Sequence, residues 1–521
     1  MKHLFSHLVA ALFAGLPCLA QEVAMPSASK PDANRISRQG EAENPLFVIT
    51  DAHLDTQWNW DVQTTIEQYL PATLSGNFAL LKSYPHYRFN FEGAVKYQWM
   101  KEYYPAQYEQ LKQYVAEGRW NPSGGSWDAN ETMVASAESL LRNLLYGQTF
   151  YKREFGRKGG TDIMLPDCFG FSAALPSIAA HCGFTGFHSQ KLSWGSAYDY
   201  GSLPAFGKWR GVDGSEIYCV LKMGAYDANF EENLAQSNTM LSDIRANETA
   251  CGLRAAFRYT GKSGDRGGAQ EEKYVRQLEE SATTDGQVQV KIVSPTEMFD
   301  YMRENDRGQY RVVDHELPMR THGVGCYTSK TMMKYWNRRN ELTGDAAERA
   351  SVAAAWLGGF RYPYETLTAA WQRVIWHQFH DDLPGTCIPR AYGYSRNDEV
   401  LSLLDFTNTT THAVASVASR MDTRTEHMPV VVYNPLSIER EDVVEAEVPA
   451  SEPWTGIRVT APNGEEVAAQ LTRFSEGRQH FIFAARVPSM GYAVYDLEKN
   501  APCAAAPEDL SLSGYTMENV R

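Results

Sequence analysis

Paired cysteines, basic character and long apolar runs are what this 521-residue chain has least of, and each shortage excludes a class of function. No Cys-x-x-Cys occurs, so a thiolate zinc site of the finger or ribbon type is excluded. Apart from Cys18, the cysteines are Cys168, Cys182, Cys219, Cys251, Cys326, Cys387 and Cys503. They are odd in number and scattered, which leaves at least one thiol unpaired within a monomer. Lys and Arg total 49 against 63 Asp and Glu, a net charge of −14 with no basic stripe or block. That balance argues against nucleic acid and anionic membrane as partners. Past the first twenty residues no run approaches the ~18 apolar residues of a membrane span. The small-residue loop at 320–329 is followed by no Lys-Ser/Thr, so it is not a P-loop.

The length calls for two to four domains. At the N-terminus, Lys2 precedes an apolar stretch at 8–16, and Cys18-Leu19-Ala20 ends in a small residue. This is the layout of a signal peptide over 1–20, followed by a flexible leader over 21–43, and it implies export to the periplasm or beyond. Lipid attachment at Cys18 is the lesser alternative, because Gly15-Leu16-Pro17 fits that signal poorly.

From 44 to about 327 short apolar strands alternate with longer helical stretches. Strands are expected at 46–50, 87–92, 162–165, 216–222 and 288–293, and helices at 95–117, 138–155 and 175–182. Such alternation reads as an α/β domain with a parallel sheet, open or closed into a barrel, with ligands gathered beyond the carboxyl ends of the strands. A helical region follows at 328–422, including 364–379 and 399–420. From 428 to 521 short alternating runs between turn residues read as β-sandwich material, which stops without an evident closing strand.

Three segments carry chemistry. Asp51-Ala52-His53-Leu54-Asp55-Thr56-Gln57-Trp58 follows the first strand and puts an imidazole and a carboxylate two residues apart, on one face. Alone, His53 and Asp55 read more simply as a hydrogen-bonded pair or a helix cap, and the other two segments are what overturn that reading. Asp167 follows the strand at 162–165, and Gly170 permits a tight turn that exposes it; the bland reading is a helix N-cap. His380-Asp381-Asp382 closes a helix, where a His is favoured but two carboxylates are not unless a cation lies nearby. Trp120 and Trp127 flank a flexible turn, readable as a surface loop or as a platform for stacking sugars.

These segments resemble family 38 of the glycoside hydrolases, the α-mannosidases. The resemblance rests on residues 51–58, 118–127, 138–142, on Leu165-Pro166-Asp167-Cys168-Phe169-Gly170-Phe171, on Ser189-Gln190-Lys191-Leu192-Ser193-Trp194, and on residues 379–386, in that order. It implies a seven-stranded βα barrel, a three-helix bundle and β-domains. It also implies one divalent ion, zinc by the donor set, on His53, Asp55, Asp167 and His380. Asp167 would double as nucleophile in a two-step retaining hydrolysis of mannose-bearing glycans, with Asp381 on the sugar hydroxyls and Trp58 as the pocket floor. The rival readings are an impaired mannoside-binding relative and another metal-dependent carbohydrate hydrolase, such as a deacetylase. The family's acid/base carboxylate finds no match in Pro318-Met319-Arg320-Thr321, which leaves Asp314, Glu316 and Asp382 as candidates. Glu131 stands where the family usually has Asp. Family members also run hundreds of residues further, so a truncated product is expected.

Overall fold

The strand Pro45–Asp51 is buried along its whole length, as a central strand covered on both faces must be. It runs parallel to Gln289–Ile292, Ala256–Gly261 and Phe89–Glu92, and the last pairs in parallel with Trp120–Ser123. A second five-stranded sheet holds Val312–Val313, Phe206–Arg210, Glu216–Val220, Gly186–His188 and Asp162–Met164. Among its described strands one pair is antiparallel, Phe206–Arg210 with Glu216–Val220. Two backbone hydrogen bonds link the sheets, Gly160 N to Pro122 O at 2.8 Å and Tyr259 N to Met223 O at 3.0 Å. The computed structural model describes residues 43–156, 159–195, 200–502, 510–513 and 516–519. The expected signal peptide, the leader up to residue 42, Cys18 and Cys503 lie outside them.

Parallel strands place their carboxyl ends together. Asp51, Glu92, Ser123, Met164, His188 and Gly261 close their strands, and His53, Asp55, Lys96, Asp128, Asp167, Lys191 and Asp265 follow within a few residues. Proximity of distant positions is thus a consequence of topology.

The helical region comprises Thr331–Leu357, Tyr364–Trp376 and Ala391–Ala418. Ala350, Ala354, Ala413 and Val417 are buried together, small residues that let the first and third helices approach closely. Antiparallel sheets follow. One joins Met428–Tyr433, Tyr492–Lys499, Ile457–Thr460 and Glu466–Val467, and the other joins Arg440–Pro449, Arg478–Val487 and Ala469–Ser475. Ile457, Val459, Phe481, Phe483, Tyr495 and Leu497 fill the space between them. An α/β region, then helices, then sheets is therefore the architecture of the chain.

Local expectations needed correction at three places. The helix expected over 95–117 is broken into Ala94–Tyr103 and Pro105–Ala116, because Pro105 withholds a donor and starts a new helix. The helix expected to run to 379 ends at Trp376, and the one expected from 399 begins at Ala391. All six described cysteines are free thiols. Among the described residues no helix is long and apolar enough to cross a membrane.

Candidate metal centre

His53 and Asp55 lie just past the end of Pro45–Asp51, both buried. The His53 Nδ1–H donates to Glu92 Oε1 at 3.0 Å, which aims Nε2 at Asp55 Oδ1, 3.0 Å away. The same Asp55 oxygen lies 3.3 Å from His380 Nε2. His380 Nδ1–H donates to the Ala129 carbonyl at 2.9 Å, so its Nε2 presents a lone pair. That Nε2 is buried and has no hydrogen-bond partner. Ligand atoms of His53, Asp55 and His380 all fall within 4.8 Å of one another. Two imidazole nitrogens and a carboxylate oxygen, each ring oriented through its other nitrogen, are a donor set that suits zinc. The orphaned Nε2 is the observation that fits a cation here, since a buried unpaired acceptor is otherwise costly.

His380 is not a helix cap. It sits beyond the end of Tyr364–Trp376, where Phe379 bridges Asn130 and the His380 N–H donates to the Ala129 carbonyl at 3.2 Å. Neighbouring carboxylates dominate the electrostatics of the cluster. Burial disfavours the protonated form of His53, yet hydrogen bonds to Asp55 and Glu92 outweigh it and hold His53 well above the usual imidazole range. Burial also raises Asp55, but His380 and His53 bring it down to about 2.

Asp167 stands at the margin of this cluster. Its Oδ2 is 3.7 Å from His380 Nε2, and its Oδ1 is ion-paired with the Lys191 ammonium, which also lies over the Trp194 ring at 4.2 Å. Gly170 takes φ +127, as the tight turn after Asp167 requires. Asp381 Oδ2 lies 3.6 Å from His380 Nε2, and its Oδ1 accepts the Thr386 hydroxyl. Burial first, then the charge of Asp55, pushes the Asp381 carboxyl up to about 8. Trp58 is half-buried, edge-on to Trp60 with ring centres 6.0 Å apart.

Other expectations fail here. Asp382 accepts from Gln57 Nε2 at 2.6 and 2.7 Å, His377 Nδ1 at 2.7 Å and Ser395 Oγ at 3.1 Å. Fully buried and fully engaged, it is a structural clasp and not a free acid. Asp314 and Glu316 are exposed. Trp120 and Trp127 form neither a surface loop nor a platform: both are buried, Trp120 against Phe89 and Trp127 against Phe150. Glu131 accepts the backbone N–H groups of Met133 and Val134 at 2.7 and 2.6 Å and shapes its own turn.

One carboxylate escaped the sequence reading. The Asp265 carbonyl accepts the Asp55 N–H at 2.9 Å, and Gly267 N–H donates to the His53 carbonyl at 3.0 Å, so the two loops are laced together. Asp265 Oδ1 accepts the Tyr226 hydroxyl, and Tyr226 lies beside the His53 ring, 5.3 Å between centres. Burial, then Asp55, raises the Asp265 carboxyl above its ordinary range. The signal was available in Ser263-Gly264-Asp265-Arg266-Gly267-Gly268, an acid in a glycine-rich turn after a strand, and Asp265 indeed adopts φ +58.

Comparison with known proteins accords with this geometry. The model of the "Glycosyl hydrolases family 38 N-terminal domain" matches residues 44–335, and that of the "Alpha mannosidase middle domain" matches 322–417. Alpha-mannosidase G of Dictyostelium discoideum is 32% identical over 356 residues, covering 68% of this chain and 31% of the relative. Alpha-mannosidase 2C1 of Homo sapiens is 30% identical over 353 residues, covering 67% and 33%. The chain thus spans about a third of the length of these relatives. The crystal structure of an alpha-mannosidase from Enterococcus faecalis V583 superposes with a TM-score of 0.71 at 15% identity, covering 92% of this chain and 60% of that one. These findings correct one expectation. They support metal assistance, whereas the covalent retaining route through Asp167 does not stand: the metal-competent cluster omits Asp167, whose Oδ1 is ion-paired with Lys191. A family model matching more than half of the sequence establishes that this chain belongs to glycosyl hydrolase family 38.

Proposed function

We propose that the chain carries a metal-assisted site for α-mannosides, organised by a single divalent ion of the zinc class on His53, Asp55 and His380. Asp167 is the further carboxylate that would complete the set, through Oδ2. The observation behind this reading is the buried, partnerless Nε2 of His380 facing Asp55 beside His53 Nε2. The substrate class follows from the names of the relatives. When bound, the ion would supply an electrophilic centre that fixes neighbouring sugar hydroxyls and offsets charge as the glycosidic bond lengthens.

The protein's own groups do the rest. Asp381 receives a sugar hydroxyl, and half-buried Trp58 offers an apolar face beneath the ring. Asp265, whose carboxyl is raised above its ordinary range by burial and by Asp55 and whose Oδ1 accepts the Tyr226 hydroxyl, is the group that would pass a proton to the departing oxygen as water takes up the sugar. Lys191 restrains Asp167. We read seven of the strands in the two linked sheets as one barrel over 44–327, the helices as a three-helix bundle over 328–422, and 428–521 as a β-sandwich, in an exported protein.

A second reading is binding without turnover, favoured by the commitment of Asp167 to Lys191. An aryl α-mannoside with an activated leaving group, offered to zinc-loaded protein, separates the two. Zinc-dependent release of the aryl group supports the hydrolase. Saturable binding without release supports the second reading, and acetate release from an acetylated sugar would replace both with a deacetylase.

A further inference from the structure

Behind the candidate metal centre lies a buried ion network that touches both histidines. Glu92 ends its strand and accepts His53 Nδ1–H at 3.0 Å. The same oxygen accepts Lys96 Nζ–H at 3.0 Å. Lys96 Nζ is also 3.6 Å from Asp128 Oδ1, an ion-pair distance. Asp128 Oδ1 in turn accepts the Ala129 N–H at 2.9 Å, and the carbonyl of Ala129 is the acceptor for His380 Nδ1–H at 2.9 Å. Glu92, Lys96 and Asp128 are each fully buried. The path therefore runs from His53 through Glu92, Lys96, Asp128 and Ala129 to His380, with one ammonium at its midpoint.

The local sequence is shaped for this closure. Glu92 and Lys96 are four apart, spanning the strand end and the first turn of Ala94–Tyr103. Gly93 between them takes φ +88, and a Cβ there would come within 3.0 Å of Asp128 Oδ1 and 3.2 Å of Lys96 Nζ. Only glycine lets the chain turn and leaves the charges room to meet. Three buried charges with an unpaired Oε2 on Glu92 and an unpaired Oδ2 on Asp128 are a costly construction for stability alone, since apolar replacements usually serve as well.

We propose that Lys96 is a positioning residue which, through Glu92 on one side and Asp128–Ala129 on the other, sets the orientation of both metal-binding imidazoles at once. This rests on the metal-site reading above. Ring orientation through the distal nitrogen typically changes metal affinity about 10- to 100-fold.

The test is zinc affinity of the purified chain by chelator competition, with the visible spectrum of the Co(II)-loaded protein as a report on ligand geometry. Lys96→Met is expected to weaken zinc binding about 10- to 100-fold and to alter the Co(II) spectrum. Should that variant fail to fold, Glu92→Gln keeps the shape and weakens one arm, and Asp128→Asn weakens the other. Each is expected to lose affinity while its circular dichroism stays that of the parent. Wild-type zinc affinity and an unchanged Co(II) spectrum in folded Lys96→Met, or in both single-arm variants, would overturn the proposal. Failure of the unmodified protein to bind zinc would instead overturn the metal-site reading itself.

Discussion

His380 divides its two nitrogens between separate tasks, one tied to a backbone carbonyl and one left facing carboxylates. Replacing it with Ala should remove a ligand while the Phe379–Asn130 bridge holds the segment in place. The expected result is loss of bound zinc with the fold retained, measured by metal content and circular dichroism. Zinc retained at wild-type affinity would reduce His380 to packing. Asp265 makes a different prediction. Protonation matters most when the leaving oxygen is a poor one, so Asp265→Asn should cut turnover about 10²- to 10⁴-fold on a disaccharide. The loss should be much smaller on an activated aryl mannoside. Equal losses on both substrates would remove Asp265 from the proton transfer. The sequence made His53, Asp55 and His380 readable because their types and neighbours are unusual for strand and helix ends. Asp265 was not readable in the same way, since a glycine-rich turn with one acid is ordinary until a second loop is seen laced to it.

At the level of elements, the segment carrying His53 and the segment carrying His380 are joined by Asp382. Gln57, His377 and Ser395 all point their donors at it, from three parts of the chain. Asp382→Ala leaves the buried His377 Nδ1–H without its acceptor, while Gln57 keeps Ser395 Oγ at 2.8 Å and Ser395 keeps the Ala391 carbonyl at 3.3 Å; the broken buried pair costs about 3–5 kcal/mol, and denaturant unfolding should show it. The clasp also responds to pH. Burial opposes charge on His377, but hydrogen bonds to Asp382 and Asp398 prevail and raise it from 6.5 to about 10. Its contribution to stability is thus fully present below about pH 6.5 and is lost as pH rises through about 10. The melting temperature should fall on going from pH 7 to 10, and less steeply in His377→Gln; parallel slopes would contradict this. Element types were largely legible from periodicity, as Pro45–Asp51 and Ala137–Phe155 illustrate. Ends were less so, because Pro105 acts locally within an otherwise continuous helical pattern. Trp120 and Trp127 were misplaced for a related reason: turn-rich neighbours say nothing about which ring the core will claim.

Across the whole molecule, parallel topology is what turns separate segments into one site. Residues 53 and 55 share one loop after a strand, residues 128, 167 and 265 lie in three others, and only the shared direction of the strands brings them together. Anything that binds the folded form alone stabilises it, by about 2.7 kcal/mol at a hundredfold excess over the dissociation constant. Treatment with a strong chelator should therefore lower the melting temperature, and zinc should restore it. Anomalous scattering at the zinc edge, from crystals of the zinc-loaded protein, tests the central claim most directly. One peak within bonding distance of His53 Nε2, Asp55 Oδ1 and His380 Nε2 is expected. No peak there, or a peak elsewhere with these three side chains hydrogen-bonded only to protein, would contradict it.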